Sequence, residues 1–134
     1  MIKPYLNFNG HTREAIDFYE KVFDGQEKTV MTFQGMPDVP SEMKDWVLHG
    51  RLVVAGSELL FSDAMSTDPV SFGTNMTLMV ETDCEDDLRS WFRQLSEKGE
   101  VWQELQSTFF SPLYGSLKDC YGIVWQFNLQ TKQS

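Results

Sequence analysis

The chain of 134 residues has few cysteines and few basic residues, and it lacks any long apolar run. Its two cysteines, Cys84 and Cys120, are too few for a disulfide framework and too far apart for a zinc site. Twenty acidic residues against 11 basic ones give a net charge of −9, which disfavours nucleic acid and anionic lipid as partners. No apolar stretch approaches the roughly 20 residues of a membrane span, and the first residues contain no signal-peptide core. We therefore expect a cytoplasmic protein that binds neither nucleic acid nor membranes.

The hydrophobic and aromatic content of the chain is typical of a folded protein. Hydrophobic residues make up 41% of the chain and aromatic residues 13%, more than a disordered chain of this charge would carry. A chain of this length is in the range of one domain. We expect a single domain spanning residues 1–134.

Two amphipathic helices are predicted, and they repeat along the chain. Apolar residues at i, i+3, i+4 and i+7 form one stripe on each helix. The stripes are Ala15, Phe18, Tyr19 and Val22 in the first helix, and Leu88, Trp91, Phe92 and Leu95 in the second. Each member of the second stripe lies 73 positions after its counterpart. Gly25 and Gly99 are predicted to follow the two helices, and Asp83 to cap the second.

Strand-like runs surround the helices in the same order twice. One run precedes each helix and three follow it, so the pattern is βαβββ repeated. Module one covers about residues 1–66 and module two about residues 72–131. A half of ~65 residues buries too little apolar surface to be stable alone, so the modules are expected to share one fold. The acidic run Glu81–Asp87 is interpreted as the solvated start of the second helix.

Three stretches together resemble a known family. They are PYLNFNG with AIDFYEKVF, then VLHGRLVVAGSELLFSD, and finally LYGSLKDCYGIVWQFN. They resemble the PhnB-like subgroup of the vicinal-oxygen-chelate superfamily, which contains glyoxalase I, bleomycin-resistance proteins and extradiol dioxygenases. The resemblance implies an α+β fold in which two βαβββ modules form curled mixed sheets around a U-shaped cavity, with the helices outside.

The resemblance also implies four metal-ligand positions, and this chain has residues there that are poor metal ligands. Counting from the matching motifs puts them at Pro4, Phe61, Asn75 and Gln126. Proline and phenylalanine have no ligating side-chain atom, and the two amides offer only neutral oxygens. We therefore expect no metal and no cofactor.

Strand alternation from those positions predicts what lines the cavity instead. The predicted lining, with two residues of the strand 47–54 added, is Leu6, Phe8, His49, Arg51, Phe61, Asp63, Asn75, Thr77, Met79, Gln126 and Asn128. This mixture of apolar, amide and carboxylate groups suits a small organic ligand. The alternative is that these side chains simply fill space.

Among the predicted lining residues, His49 is the one best suited to catalysis, and it is one of only two histidines in the chain. It is the candidate catalytic residue, either as a general base or as a polar anchor, with Arg51 as a counter-charge for an anionic substrate. The alternative is a hydrogen-bonded histidine at a sheet edge or a dimer interface.

The function predicted from these features is metal-free binding of a small organic ligand by a homodimer. Two alternatives stay open: an enzyme of the same superfamily, metal-dependent or with His49 as the base, and an assembly partner without a ligand. Some family members carry names that imply a ubiquinone methyltransferase. The common methyl-donor site needs a glycine-rich loop in a doubly wound sheet, and this sequence contains no G-x-G.

Overall fold

The computed structural model describes residues 1–131. The described chain separates into two compact units, one formed by Met1–Ser71 and the other beginning at Phe72. In the first unit the elements follow the predicted βαβββ order, with a short 3-10 helix before the third strand. They are β1 (Tyr5–Phe8), α1 (Thr12–Phe23), β2 (Gln26–Thr32), the 3-10 helix Ser41–Met43, β3 (Val47–Val54) and β4 (Ser57–Asp63).

The second unit repeats the order. Its elements are β5 (Leu78–Thr82), α2 (Glu85–Ser96), β6 (Glu100–Gln106), β7 (Tyr114–Lys118) and β8 (Val124–Leu129). The strand orders are β1-β4-β3-β2 and β5-β8-β7-β6. In each sheet the first pair is parallel and the others are antiparallel, so both sheets are mixed. The predicted class, α+β with two βαβββ modules, is confirmed. That the chain is one domain stays a prediction.

In the first unit, helix α1 covers one face of the sheet. The rings of Tyr19 and Phe61 stack with their centroids 6.1 Å apart, and both side chains are fully buried. Gly50 of β3 allows the close approach, because a Cβ added there would lie 2.6 Å from Cδ1 of Ile16. The opposite face of this sheet carries no helix of its unit, and we call it the helix-free face.

The second unit is built in the same way: α2 covers one face of its sheet, and the opposite face, which carries no helix among the described residues, is the helix-free face of this unit. Phe92 of α2 meets Phe127 of β8 edge to face, with ring centroids 5.1 Å apart. A Cβ added to Gly115 of β7 would lie 3.0 Å from Phe92. Gly50 pairs with Phe61, and Gly115 pairs with Phe127. The glycine-to-phenylalanine pair beneath each helix therefore identifies equivalent positions in the two sheets.

Gly25 directly follows the C-cap Asp24 of α1, as predicted, whereas both ends of α2 differ from the prediction by one residue. The N-cap of α2 is Cys84, not Asp83, because Cys84 has extended dihedral angles and its carbonyl accepts the amide hydrogen bond of Leu88. The left-handed residues that end the helices are Asp24 (φ 53°) and Lys98 (φ 57°), each directly before the predicted glycine.

Neither helix of the described residues is suited to crossing a membrane, since α1 and α2 contain 12 residues each.

Candidate functional site

A row of polar side chains crosses the helix-free face of the first unit. Asn7 of β1 lies beside Ser62 of β4. Gly50 pairs with Phe61, so the next position along the antiparallel ladder places His49 beside Ser62. Phe61 points toward α1, and side chains alternate along a strand, so its neighbour Ser62 points to the helix-free face. Asn7, Ser62 and His49 form what we call the first polar row.

Tyr5 holds the ring of His49 in this row. The Tyr5 hydroxyl lies 2.9 Å from Nδ1 of His49, and the two ring centroids are 5.8 Å apart at an interplanar angle of 59°. Tyr5 is 45% exposed and His49 is half-buried. Within residues 1–131, Nε2 of His49 has no hydrogen-bond partner. That nitrogen is therefore available to a ligand.

Arg51 lies on the same face, but its charge is already compensated. Its Nε is 3.0 Å from Oε1 of Glu58, and Glu27 lies 3.7 Å from its guanidinium. Lys3 pairs with the other oxygen of Glu58 at 3.1 Å. The hydrogen bond from Arg51 lowers the pKa of Glu58, with a further contribution from Lys3, while the bond to Glu58 raises the pKa of Arg51. Because Arg51 is already paired with Glu58 and Glu27, these contacts argue against its predicted role as a counter-charge for an anionic substrate.

A second polar row occupies the equivalent positions of the second unit. Glu81 of β5 and Tyr114 of β7 both pair with Asn128 of β8. The amide of Asn128 donates to Oε2 of Glu81 at 2.8 Å, and its oxygen accepts a short hydrogen bond from the Ser111 hydroxyl. Both ends of the Asn128 amide are therefore fixed by neighbours.

Gln126 is held on the same face, two residues before Asn128. Its Nε2 donates to the Thr77 hydroxyl at 2.8 Å, and its Oε1 accepts from the Tyr114 hydroxyl. Met79 pairs with Gln126 across the parallel ladder and is 48% exposed. The structure thus brings together four predicted lining residues, Thr77, Met79, Gln126 and Asn128.

Four other predicted lining residues lie on the wrong face. Leu6, Phe8, Phe61 and Asp63 are buried on the side that α1 covers. Counting inward positions from Pro4 and Phe61 selects the wrong frame in the first unit, and a frame error of one residue moves every side chain of a strand to the other face. Their assignment to a ligand cavity is corrected: these residues form the core of the first unit.

Asp63 has a specific structural role in that core. Its Oδ1 accepts hydrogen bonds from the amides of Gly10 (2.8 Å) and Thr12 (3.2 Å) and from the Thr12 hydroxyl (2.6 Å). Its Oδ2 accepts from the amide of Val47 at 2.9 Å. Asp63 thereby joins the start of α1 to the start of β3.

Asn75 is exposed and precedes β5, which begins at Leu78, so strand alternation does not reach it. The lining predicted from the sequence lacks five residues that lie in or beside the polar rows: Tyr5, Asn7, Ser62, Glu81 and Tyr114. One further step of the alternation from Thr77 and Met79 leads to Glu81. The sequence interpretation instead grouped Glu81 with the acidic run at the start of the second helix, although it lies in β5.

The donor atoms on the helix-free faces do not fit a catalytic transition metal. Of the four positions that the resemblance implied, Pro4 and Phe61 have no ligating atom, Asn75 is outside the sheet, and the Gln126 oxygen already accepts from Tyr114. Residues 1–131 contain no group of three or more His, Cys, Asp or Glu side chains arranged to hold a metal ion. Tight sites need imidazole, thiolate or several carboxylate ligands.

A cavity of about 330 Å³ adjoins the second polar row. Asn128 is a member of the second polar row and also lines this cavity. The described residues that line it are Phe110, Pro112, Asn128, Leu129, Gln130 and Thr131.

Comparison with known proteins identifies the family. The model of the family described as 3-demethylubiquinone-9 3-methyltransferase matches residues 1–128. The chain belongs to this family. The Escherichia coli protein YjdN is 27% identical to it over 143 residues, which cover 98% of this chain and 97% of YjdN.

Solved structures show the same fold over nearly the whole chain. Protein PA1353 from Pseudomonas aeruginosa is 30% identical, with a TM-score of 0.87 and 98% of both chains covered. The PhnB protein from Bacillus cereus is 27% identical, with a TM-score of 0.83, covering 96% of this chain and 98% of its own. The fosfomycin resistance protein FosX from Listeria monocytogenes is only 8% identical and shows the fold alone, with a TM-score of 0.67 and coverage of 98% and 92%. These likenesses place the fold in the vicinal-oxygen-chelate superfamily.

Proposed function

We propose that this family member is a PhnB-like protein that binds a small organic ligand through the polar rows of its helix-free faces, without a bound metal. The observation that carries the proposal is the recurrence of the rows. Asn7, Ser62 and His49 occupy in one sheet the register positions that Glu81, Asn128 and Tyr114 occupy in the other.

The rows are organised before any ligand arrives. His49 is held by Tyr5, and Asn128 is held by Glu81 and Ser111. Fixed polar groups lose little rotational freedom on binding, which favours affinity for a ligand of matching shape. A few positioned polar groups beside apolar side chains are typical of small-molecule sites.

We do not propose methyl transfer for this chain, although the family is described as a methyltransferase. The common methyl-donor site lies at the glycine-rich turn of a doubly wound parallel sheet. Each sheet of this chain instead combines one parallel pair with two antiparallel pairs.

The experiment is a thermal-shift screen of small organic compounds, run beside metal analysis of the dialysed protein. We expect a compound that raises the unfolding temperature without added metal. Titration with zinc, nickel and manganese should give no tight binding in either the native protein or Gln126→Ala. Stoichiometric metal that disappears with Gln126→Ala would overturn the metal-free proposal.

A second candidate is an enzyme that uses His49 as a general base. The free Nε2 of His49 favours it, since a base must face its substrate. The Tyr5 contact supports the binding role instead. A phenolic hydroxyl that donates its proton to Nδ1 leaves the ring proton on Nε2, and Nε2–H is then a hydrogen-bond donor to a ligand oxygen.

A further inference from the structure

We propose that the second polar row and its adjoining cavity form a subsite for an aromatic cation, a planar ring that carries a protonated amidine or amine. The inference rests on the proposed function and specifies the ligand chemistry of one unit. Three features support it: an exposed aromatic pair, a loop fixed by hydrogen bonds, and a carboxylate with an oxygen that has no partner among the described residues.

Two phenylalanines stand exposed on the loop between β6 and β7. Phe110 is 60% exposed and Phe109 is fully exposed. Phe110 meets Tyr114 edge to face with ring centroids 5.2 Å apart, and it also lines the cavity. Its ring therefore offers an aromatic surface to whatever enters. Such surfaces bind planar rings by stacking and cations through the ring face.

The loop that carries Phe110 is fixed by its own hydrogen bonds. The amide of Thr108 donates to the carbonyl of Ser111 at 2.9 Å. The Thr108 hydroxyl accepts from the amides of Phe110 (3.3 Å) and Ser111 (3.1 Å). The Ser111 hydroxyl then joins the loop to Asn128 of the second polar row. An exposed aromatic ring on a fixed loop is ready to bind without a large ordering cost.

The second polar row contains one carboxylate, that of Glu81. Oε2 of Glu81 accepts from Asn128, while Oε1 has no partner among residues 1–131. None of the six described lining residues is basic, and the whole chain carries a net charge of −9. Asn128 joins this carboxylate to the cavity that Phe110 lines. A carboxylate oxygen without a partner among the described residues, together with an aromatic surface, favours a cation over an anion of the same shape.

The test uses benzamidinium as the probe and benzoate as its anionic counterpart, titrated into the full chain and followed by NMR. Phe110→Leu removes the ring that lines the cavity, and Phe109→Leu is its matched control from the same loop. Glu81→Gln removes the charge but keeps an oxygen for Asn128, and Glu100→Gln is its control at an exposed position of β6. Thermal unfolding of each variant checks that it is folded.

We expect benzamidinium to bind with signals shifting at Phe110, Asn128 and Glu81, and benzoate to bind more weakly. Phe110→Leu and Glu81→Gln should each weaken binding by roughly three- to fivefold, as exposed cation–π and ion-pair contacts do, and both controls should leave it unchanged. Absence of saturable binding up to about 10 mM, equal binding of benzoate, or equal effects of the two phenylalanine variants would overturn the subsite.

These outcomes are separable from those of the proposed function. A compound from the screen that shifts signals only at the first polar row would overturn the subsite and leave small-molecule binding standing. If no compound binds either row, both proposals are wrong.

Discussion

Single side chains in this protein differ sharply in role even where their positions in the sequence look alike. Asp63 and Glu81 are both carboxylates near the end of a strand beside the N-terminal region of a helix. Asp63 is 3% exposed and accepts from four donors of its own unit. Glu81 is exposed, and one of its oxygens has no partner among residues 1–131. The first is part of the core and the second is available for binding.

Replacing Asp63 with asparagine should destabilise the protein by roughly 2–3 kcal/mol, because the amide group places donors against buried donors that need an acceptor. The measurement is the free energy of unfolding in urea. Asp45→Asn, at an exposed position, is the control and should change it by less than about 0.5 kcal/mol. Equal effects of the two substitutions would show that the Asp63 contacts contribute nothing.

We predict that the Tyr5 hydroxyl, 2.9 Å from Nδ1 of His49, donates to that nitrogen, so that the neutral ring carries its proton on Nε2. The ¹⁵N chemical shifts of the ring at neutral to mildly alkaline pH measure the tautomer directly. Tyr5→Phe should move the ring toward a mixture of tautomers without unfolding the protein, since Tyr5 is 45% exposed. A native ring protonated on Nδ1 would contradict this assignment and favour His49 as a base.

At the scale of elements, the frame of each strand decides which residues can meet a ligand. Register places His49 beside Ser62, and the contact between Tyr19 and Phe61 fixes which face the helix covers. Strand alternation places Gln126 on the face opposite α2, where it lies, but places Phe61 on the face opposite α1, whereas Phe61 packs under that helix. The hydrophobic pattern of β4, SELLFSD, leaves both frames open because Leu59, Leu60 and Phe61 are consecutive.

The close packing of α1 on β3 depends on Gly50. Gly50→Ala should lower the free energy of unfolding by about 1–3 kcal/mol, because the added methyl group would overlap Ile16 at 2.6 Å. Gly73→Ala is the matched control, since its added Cβ would approach only the Asn75 side chain, at 3.4 Å. Chemical denaturation of both variants is the measurement. A Gly50→Ala protein as stable as Gly73→Ala would show that α1 can shift at no cost.

At the scale of the whole molecule, the outer strands leave apolar and backbone groups exposed. β2 and β6 each form one edge of their sheets, and Met31 (61% exposed) and Trp102 (44% exposed) lie on them. Open sheet edges with exposed apolar side chains are surfaces that proteins usually pair or cover. This supports the proposal that the protein is a homodimer.

Sedimentation at micromolar concentration should therefore give a species of twice the chain mass of 15.5 kDa. Lowering the concentration tests whether that species dissociates. A clean 15.5 kDa species at micromolar concentration would contradict the homodimer.

The sequence by itself determined the element order, the duplication and the fold class. The apolar stripes repeat after 73 positions, and helical periodicity is a local property that needs no tertiary contact to be recognised. It also placed Gln126 and Asn128 on the face where they lie. The helix caps were predicted to within one residue, because capping too depends on neighbouring residues.

Only the tertiary structure decided which side chains of the first unit form the core and which face outward. Phe61 lies under α1 because Gly50 leaves space for Ile16 beside it, and Glu81 lies in a polar row because Asn128 pairs with it from a strand 47 residues away in sequence. A shift of one residue along a strand exchanges its two faces, and the partner that fixes the shift is distant in the chain. Register, unlike periodicity, is a property of two strands together.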